Sequence, residues 1–342
     1  MADRQNTRVL LDKRPHGEPM DDDFKIETVP VTEPGEGELL LKTLWLSLDP
    51  YMRGRMNDRK SYAPPVELGA VMVGETVCQV VVSKSDDFTA GDIVVAQVGW
   101  QSYATMAADP AVVRKVDPAL GPISTALHVL GMTGRTAYFG LLRIGEPKPG
   151  ETVVVAAASG AVGSIVGQVA KIKGCRAVGI AGGKEKCDYV LNELGFDAVI
   201  DRKAGNMAAD LKAACPDGID VYFENVGGEV LQAVVPLLNS GARAPICGYI
   251  SQYNKKTVAD VESPLDVLGS LPNPPVHRFF LQFEWIAEFK QAMLEMSGWI
   301  KEGKIKYRES VVEGIENAPA TFRGLLQGRN FGKQLIKVAN PD

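Results

Sequence analysis

The chain has 342 residues, a formal net charge of −5 and a sequence pI of about 5.5, which argues against a general binder of nucleic acid or anionic membranes. Its length predicts two domains, each able to bury its own core. No run of about 18 apolar residues is present to span a bilayer, and the polar N-terminus lacks a signal-peptide core. Five scattered cysteines favour reduced thiols. We therefore expect a cytoplasmic protein with no membrane or nucleic-acid partner.

The first part of the chain, residues 1–130, is predicted to be β-rich. Alternating apolar runs at residues 38–44 and 74–82 are separated by Pro, Gly and Asp turns, and residues 88–96 indicate another turn followed by a strand.

From about residue 131 the pattern changes to strands alternating with helices, which predicts a parallel sheet with crossover helices over residues 131–302. A long helix is predicted from Glu284 to Lys301. Residues 304–307 and 333–338 are predicted strands that rejoin the first domain, so that residues 303–342 complete it. A third small module is the alternative, although about forty residues barely support one.

The most informative segment is a strand that runs into a glycine-bearing turn and then a helix. Residues 153–156 are apolar and largely β-branched, residues 165–173 have a helical pattern that ends at Gly174, and residues 177–181 form the next strand. The turn suits a dinucleotide pyrophosphate, because glycines allow close backbone approach and the first helical N–H groups face the anion. Ala158 stands where the first glycine usually lies, so an ordinary strand–helix turn is the alternative. The predicted cofactor contacts here are Ser159, Gly160, Ala161, Val162 and Gly163.

The tip of the second strand indicates which dinucleotide binds. An NAD enzyme usually has Asp or Glu there for the ribose 2′-hydroxyl, whereas this chain has Gly182 and Gly183 followed by Lys184 and Lys186. Arg202, after the next strand, is a third cation. These charges suit a 2′-phosphate and predict NADPH. Solvated surface charges are the alternative.

The chain also resembles a known family, the zinc-independent branch of the medium-chain dehydrogenases/reductases. Within it the chain is similar to the prostaglandin reductases, leukotriene hydroxydehydrogenases and plant alkenal double-bond reductases, and closest to the bacterial NADPH-dependent curcumin reductases. The resemblance implies an α/β fold class, with a Rossmann-type nucleotide domain and a β-rich GroES-like catalytic domain. The glycine turn carries it, together with residues 48–56, 136–142, 224–228, 247–254 and 330–333.

The resemblance also implies roles for individual residues. Lys186 matches the 2′-phosphate lysine, and Arg202 stands where the branch often has tyrosine. The remaining implied cofactor contacts are Thr136, Gly182, Asn225, Cys247, Tyr253, Phe280, Leu281 and Asn330. Tyr51 and Tyr253 match tyrosines of the substrate cleft, with Tyr62 a looser candidate for substrate contact.

Zinc ligands are not expected, although the larger superfamily contains zinc alcohol dehydrogenases. A catalytic zinc site needs about three protein ligands. Val73 stands in the place of the histidine of a His-Glu pair, residues 131–134 supply no thiolate, and the histidines are isolated at positions 16, 128 and 277.

A conjugated enone or enal is the predicted substrate, because without a metal nothing strong stabilises the alkoxide of a simple alcohol. Hydride from NADPH would add to the β-carbon, and Tyr253 or Tyr51 would stabilise the enolate oxygen by hydrogen bonding. Either tyrosine could instead merely pack in the core. The alternatives are an NADPH quinone oxidoreductase of the zeta-crystallin type and a non-catalytic NADPH-binding protein. A homodimer is expected from the family.

Overall fold

The computed structural model describes residues 4–59 and 61–342. None of the helices in this part of the chain is long and apolar enough to cross a bilayer. The strands, β1 to β15 in chain order, are Gln5–Leu11, Phe24–Pro30, Glu38–Ser47, Thr76–Ser83, Ile93–Ala96, Tyr103–Ala107, Arg114–Lys115, Thr152–Ala156, Arg176–Ala181, Ala198–Asp201, Ile219–Phe223, Leu238–Ile246, Val276–Phe279, Glu309–Glu313 and Lys333–Lys337. The α-helices, α1 to α9, are Tyr51–Arg55, Met132–Phe139, Gly163–Ile172, Lys184–Asp188, Met207–Ala214, Gly228–Val234, Pro264–Gly269, Phe289–Lys301 and Ala318–Leu326.

The chain divides into two compact units. The first contains the described residues up to Leu127 together with Glu309–Asn330 and Gln334–Asp342, and the second contains His128–Arg308 and Phe331–Lys333. The changes from one unit to the other at 127/128 and 308/309 lie near the positions 130/131 and 302/303 expected from sequence.

A six-stranded parallel sheet in the order β10-β9-β8-β11-β12-β13 forms the second unit. All five residues of β8 are buried, as expected for a central strand covered on both faces. From β8 the chain passes through α3 to β9 on one side and later continues to β11 on the other. Such a reversal of strand order creates a crevice at the carboxyl ends of the strands, where ligands of open α/β sheets bind.

The first unit is built around a mainly antiparallel, seven-stranded sheet in which β3 pairs with β4, β6 and β15. Trp100 is fully buried in its core, with ring centroids 5.7 Å from Phe24 and 5.5 Å from Phe322. Because Phe322 lies on α9, the C-terminal part of the chain completes the core of this unit. The predicted fold class, a Rossmann-type parallel sheet with a β-rich domain, is confirmed.

Two predicted elements differ from the structure. The strand predicted at residues 304–307 is wrong, because the amides of Lys304 and Ile305 bond to the carbonyl of Trp299, and both backbone groups of Lys306 bond to the Gln168 side chain. The strand begins instead at Glu309.

The predicted helix from Glu284 also begins later than expected. Residues 282–288 are 3₁₀, with Trp285 outside helical geometry at φ −119° and ψ 34°, and α8 starts at Phe289. The Trp285 ring stacks on Phe139 at 5.4 Å, which accounts for the interruption by ring packing.

Glycine at position 167 is required for helix α3 to reach its place on the sheet. A Cβ added there would lie 1.8 Å from Cζ of the buried Phe196 ring. We expect Gly167→Ala to lower the free energy of unfolding by about 1–3 kcal/mol, the usual cost of overpacking a core.

The matched control is Gly298→Ala in α8, where an added Cβ meets nothing within 4 Å. This change should raise stability by about 0.5–1 kcal/mol through helix propensity. Denaturant unfolding of the two variants, followed by circular dichroism, measures both effects. Equal effects at the two positions would contradict the packing argument.

Candidate functional site

The turn after β8 is shaped by a close approach of the helix to the strand. Ala157 adopts φ +54°, in the left-handed region, and its carbonyl accepts a hydrogen bond from the amide of Gly160 at 2.9 Å. A Cβ at Gly163 would lie only 2.4 Å from that carbonyl oxygen, so only glycine fits. Ala158 instead bonds to the carbonyl of Ile180 and is buried, which explains why a glycine is not needed there.

The same turn presents backbone donors. Within the described part of the chain, the N–H groups of Ala161, Val162 and Gly163 donate to no other backbone group. They lie at the start of α3, where the helix dipole favours an anion. Consecutive amides at the carboxyl end of a central strand fit the oxygens of a dinucleotide pyrophosphate.

A cluster of cations lies at the tip of β9. An added Cβ at Gly182 would lie 3.1 Å from Nε of Arg202 and 3.4 Å from Cε of Lys203. The pKa of Lys186 is lowered, first by burial and then by the charges of Lys203 and Arg202, so an anion placed among the three would relieve their repulsion. Lys184 is not part of this cluster, since it is exposed and paired with Asp188 on its own helix.

Lys203 was not among the residues expected from sequence. Its position depends on Asp201, whose Oδ1 accepts hydrogen bonds from the amides of Gly183 at 2.7 Å and Lys203 at 2.9 Å. These bonds lower the Asp201 pKa and fold the two strand tips together. An Asp at the end of a strand followed by two cations is the signal that indicates this arrangement.

A buried carboxyl lies at the tip of β11, where the backbone of Glu224 pairs with the end of β12. Glu224 is fully buried, and its Oε1 accepts from the amides of Val226 and Gly227 at 2.6 and 2.9 Å. Burial nevertheless raises its pKa. The neighbouring Asn225 donates its side-chain amide to the carbonyl of Ala156 at 2.8 Å, which holds it beside β8. Burial, followed by the charge of Glu224, raises the pKa of Cys247 to about 12, so this thiol remains neutral.

Tyr253 follows the β12 tip and turns back over it. Its hydroxyl oxygen accepts a hydrogen bond from the amide of Tyr249 at 3.3 Å and would lie 2.6 Å from a Cβ added at Gly248. The two tyrosine rings meet edge to face at 5.3 Å. The hydroxyl therefore lies at the carboxyl edge of the sheet rather than in the core.

Two other predicted contacts have structural partners. The Phe280 ring is buried and packs against Phe223 and Gly140. Thr136 donates its hydroxyl to the carbonyl of Met132 at 2.8 Å. By contrast, the Leu281 side chain is 43% exposed.

The remaining predicted residues, Tyr51, Tyr62 and Asn330, belong to the first unit. Tyr51 opens α1, and its pKa is raised by burial and by the carboxyls of Asp49 and Glu75, so the phenol stays protonated at neutral pH. Tyr62 is 60% exposed and interacts electrostatically with Tyr51. The structure thus brings these two tyrosines near each other.

No group of three His, Cys, Asp or Glu side chains suited to a metal ion occurs within residues 4–59 and 61–342. A catalytic zinc ion needs about three such ligands. The donor set of this part of the chain therefore does not fit a metal.

Comparison with known proteins gives consistent matches along the chain. Residues 7–116 match the family model described as the N-terminal domain of oxidoreductase, and residues 161–288 match the model described as zinc-binding dehydrogenase. The chain is 49% identical over 342 residues to an NADPH-dependent curcumin reductase of Escherichia coli (strain K12), covering 99% of each protein. It is 42% identical over 338 residues to prostaglandin reductase 1 of Rattus norvegicus, covering 96% of this chain and 98% of the relative.

A solved structure agrees with these relatives. The crystal structure of CurA from Vibrio vulnificus in complex with NADPH has a TM-score of 0.92 and 47% identity, with 98% of this chain and 100% of that chain covered. The chain therefore belongs to the medium-chain dehydrogenase/reductase family, in the zinc-independent branch that includes the curcumin and prostaglandin reductases, as its sequence indicated.

Proposed function

We infer that this oxidoreductase uses NADPH to reduce the C=C bond of α,β-unsaturated ketones or aldehydes. The inference rests on two neighbouring sites for anions. The first is the set of amides at the glycine turn that donate to no other backbone group, and the second is the cluster of Lys186, Arg202 and Lys203 at the tip of the next strand. A pyrophosphate and a 2′-phosphate, at the spacing of adjacent strand tips, match these two anion sites. Relatives named as an NADPH-dependent curcumin reductase and as prostaglandin reductase 1 support the substrate class.

In this mechanism bound NADPH supplies a hydride. The chain must then stabilise the negative charge that develops on the carbonyl oxygen of the substrate, and residues 4–59 and 61–342 contain no metal-ligand set for that task. A neutral phenol is a suitable hydrogen-bond donor. We propose Tyr253 for this role, because its hydroxyl lies at the carboxyl edge of the sheet, and Tyr51 as the second tyrosine of the substrate cleft. Tyr62 is proposed to contact substrate.

A turnover assay with a set of substrates tests the proposal. The protein is mixed with NADPH and, in turn, with an enone, an enal and a quinone, and cofactor absorbance and products are followed. We expect consumption of NADPH with a saturated ketone or aldehyde as product. Turnover of quinones alone would establish the quinone oxidoreductase alternative, and NADPH binding without any turnover would establish the non-catalytic one.

The preference for NADPH is predicted to depend on Lys186. Loss of one charge-assisted contact to the 2′-phosphate costs about 1.5–3 kcal/mol, or about ten- to a hundredfold. Lys186→Ala should raise KM for NADPH by that factor and leave KM for NADH nearly unchanged. Lys184→Ala is the matched control, because Lys184 is exposed and paired with Asp188. Equal losses with both cofactors, or equal effects of the two substitutions, would contradict the assignment.

The role of Tyr253 is tested by Tyr253→Phe, which removes the hydroxyl and keeps the ring. Removing one donor to a developing oxyanion costs about a hundredfold or more in kcat, and we expect this loss on enones with the Kd of NADPH nearly intact. Tyr249→Phe, on the adjacent ring, should leave kcat within a few-fold of the original. Full activity of Tyr253→Phe, with chemistry shown to limit the rate, would contradict this role. Tyr253 would then only line the substrate cleft.

We also propose a homodimer formed through β13. This strand is at the edge of the six-stranded sheet, and its Val276 is 65% and its Phe279 39% exposed. An edge strand with apolar side chains is suited to pairing with the same strand of a second copy about a two-fold axis.

Light scattering should give twice the chain mass of 36.8 kDa, and Val276→Lys should shift the particle toward that single-chain mass. Val258→Lys, at a residue 69% exposed elsewhere in the same unit, should have no effect. A wild-type particle of single-chain mass across a concentration series would refute the dimer.

A further inference from the structure

Arg308 is a further cation, and it lies next to Gly332, a residue that contacts the glycine turn. The amide of Gly332 donates to the carbonyl of Ser159 at 3.1 Å, and Gly332 forms a parallel bridge with Gly160. A Cβ at Gly332 would lie 2.0 Å from the carbonyl oxygen and 3.1 Å from Cβ of Arg308. Arg308 therefore packs directly against Gly332, which in turn contacts the glycine turn.

Two aromatic rings hold the Arg308 side chain. Its guanidinium carbon lies 3.9 Å from the ring centroid of Phe331 and 5.8 Å from that of Tyr189, and these rings meet edge to face at 4.9 Å. A guanidinium stacked on a ring keeps its N–H groups directed outward in its own plane, where they match two phosphate oxygens. In the described part of the chain, no carboxylate forms an ion pair with it.

We propose that Arg308 is a cofactor-binding residue that contacts the diphosphate of the dinucleotide, with Phe331 and Tyr189 as the platform that orients it. The diphosphate is favoured over the 2′-phosphate because Arg308 connects through Gly332 to Ser159 and Gly160. The charges acting on Lys186 are instead those of Lys203 and Arg202. This inference rests on the proposed placement of NADPH at the glycine turn.

The test uses the contrast between NADPH and NADH, which share the diphosphate and differ in the 2′-phosphate. Binding of each nucleotide to the full chain is measured by titration calorimetry for Arg308→Met. We expect Kd to rise by about tenfold or more, and by the same factor, for both nucleotides. Arg308→Lys keeps the charge without the planar fork and should lose less. Phe331→Leu, which removes the platform, should weaken both nucleotides equally.

Lys304→Met is the matched control, because Lys304 is an exposed cation of the same segment that pairs with Glu302. It should leave both Kd values unchanged. Loss of NADPH binding alone in Arg308→Met would place the residue at the 2′-phosphate and overturn the proposal, as would unchanged binding. A lowered unfolding midpoint with unchanged Kd would show a structural role and also overturn it. Because the readout is binding, a wild-type protein that binds NADPH without reducing enones would refute the proposed function and leave this test intact.

Discussion

The close packing of helix α3 against the end of β8 is the constraint on which the rest of the second unit depends. A Cβ added at position 163 would lie 2.4 Å from the Ala157 carbonyl oxygen. The helix therefore reaches this position only because residue 163 is glycine. The approach directs the first amides of α3 toward the carboxyl edge of the sheet. It also brings the turn within bonding distance of Gly332, from the far end of the chain.

Buried polar groups then fix the neighbouring strand tips. A fully buried carboxyl such as Glu224 is costly to desolvate, and two short bonds from backbone amides offset part of that cost. These bonds hold the turn after β11, where Asn225 donates to the Ala156 carbonyl of β8 and the backbone of Glu224 bonds to the end of β12. Asp201 links the tips of β9 and β10 with a half-buried carboxyl that accepts from the amides of Gly183 and Lys203. Glu224 and Asp201 thus bind backbone amides of the strand tips, whereas the predicted anion sites consist of other amides and of cationic side chains.

Local patterns predicted most strands of the parallel sheet, because β-branched apolar runs bounded by turns have few other ways to bury their side chains. The pattern failed where backbone groups found partners distant in sequence. Residues 304–306 have strand-like composition, but the end of α8 and Gln168 satisfy their peptide groups. Trp285 likewise leaves helical geometry where its ring stacks on Phe139 of α2. The periodicity of residues 284–301 contains no information about that distant partner.

The sequence by itself determined the glycine turn, the lack of a carboxylate at the β9 tip and the family, because these features are carried by residue types at short spacings. Only the tertiary structure decided which cations cluster and which are solvated. It separated Lys184 from Lys186 and added Lys203. It also placed the Tyr253 hydroxyl over Gly248 and Arg308 on Phe331. The physical reason is that a long side chain takes its position from the partners within its reach, and in a folded chain many of these come from elsewhere in the sequence.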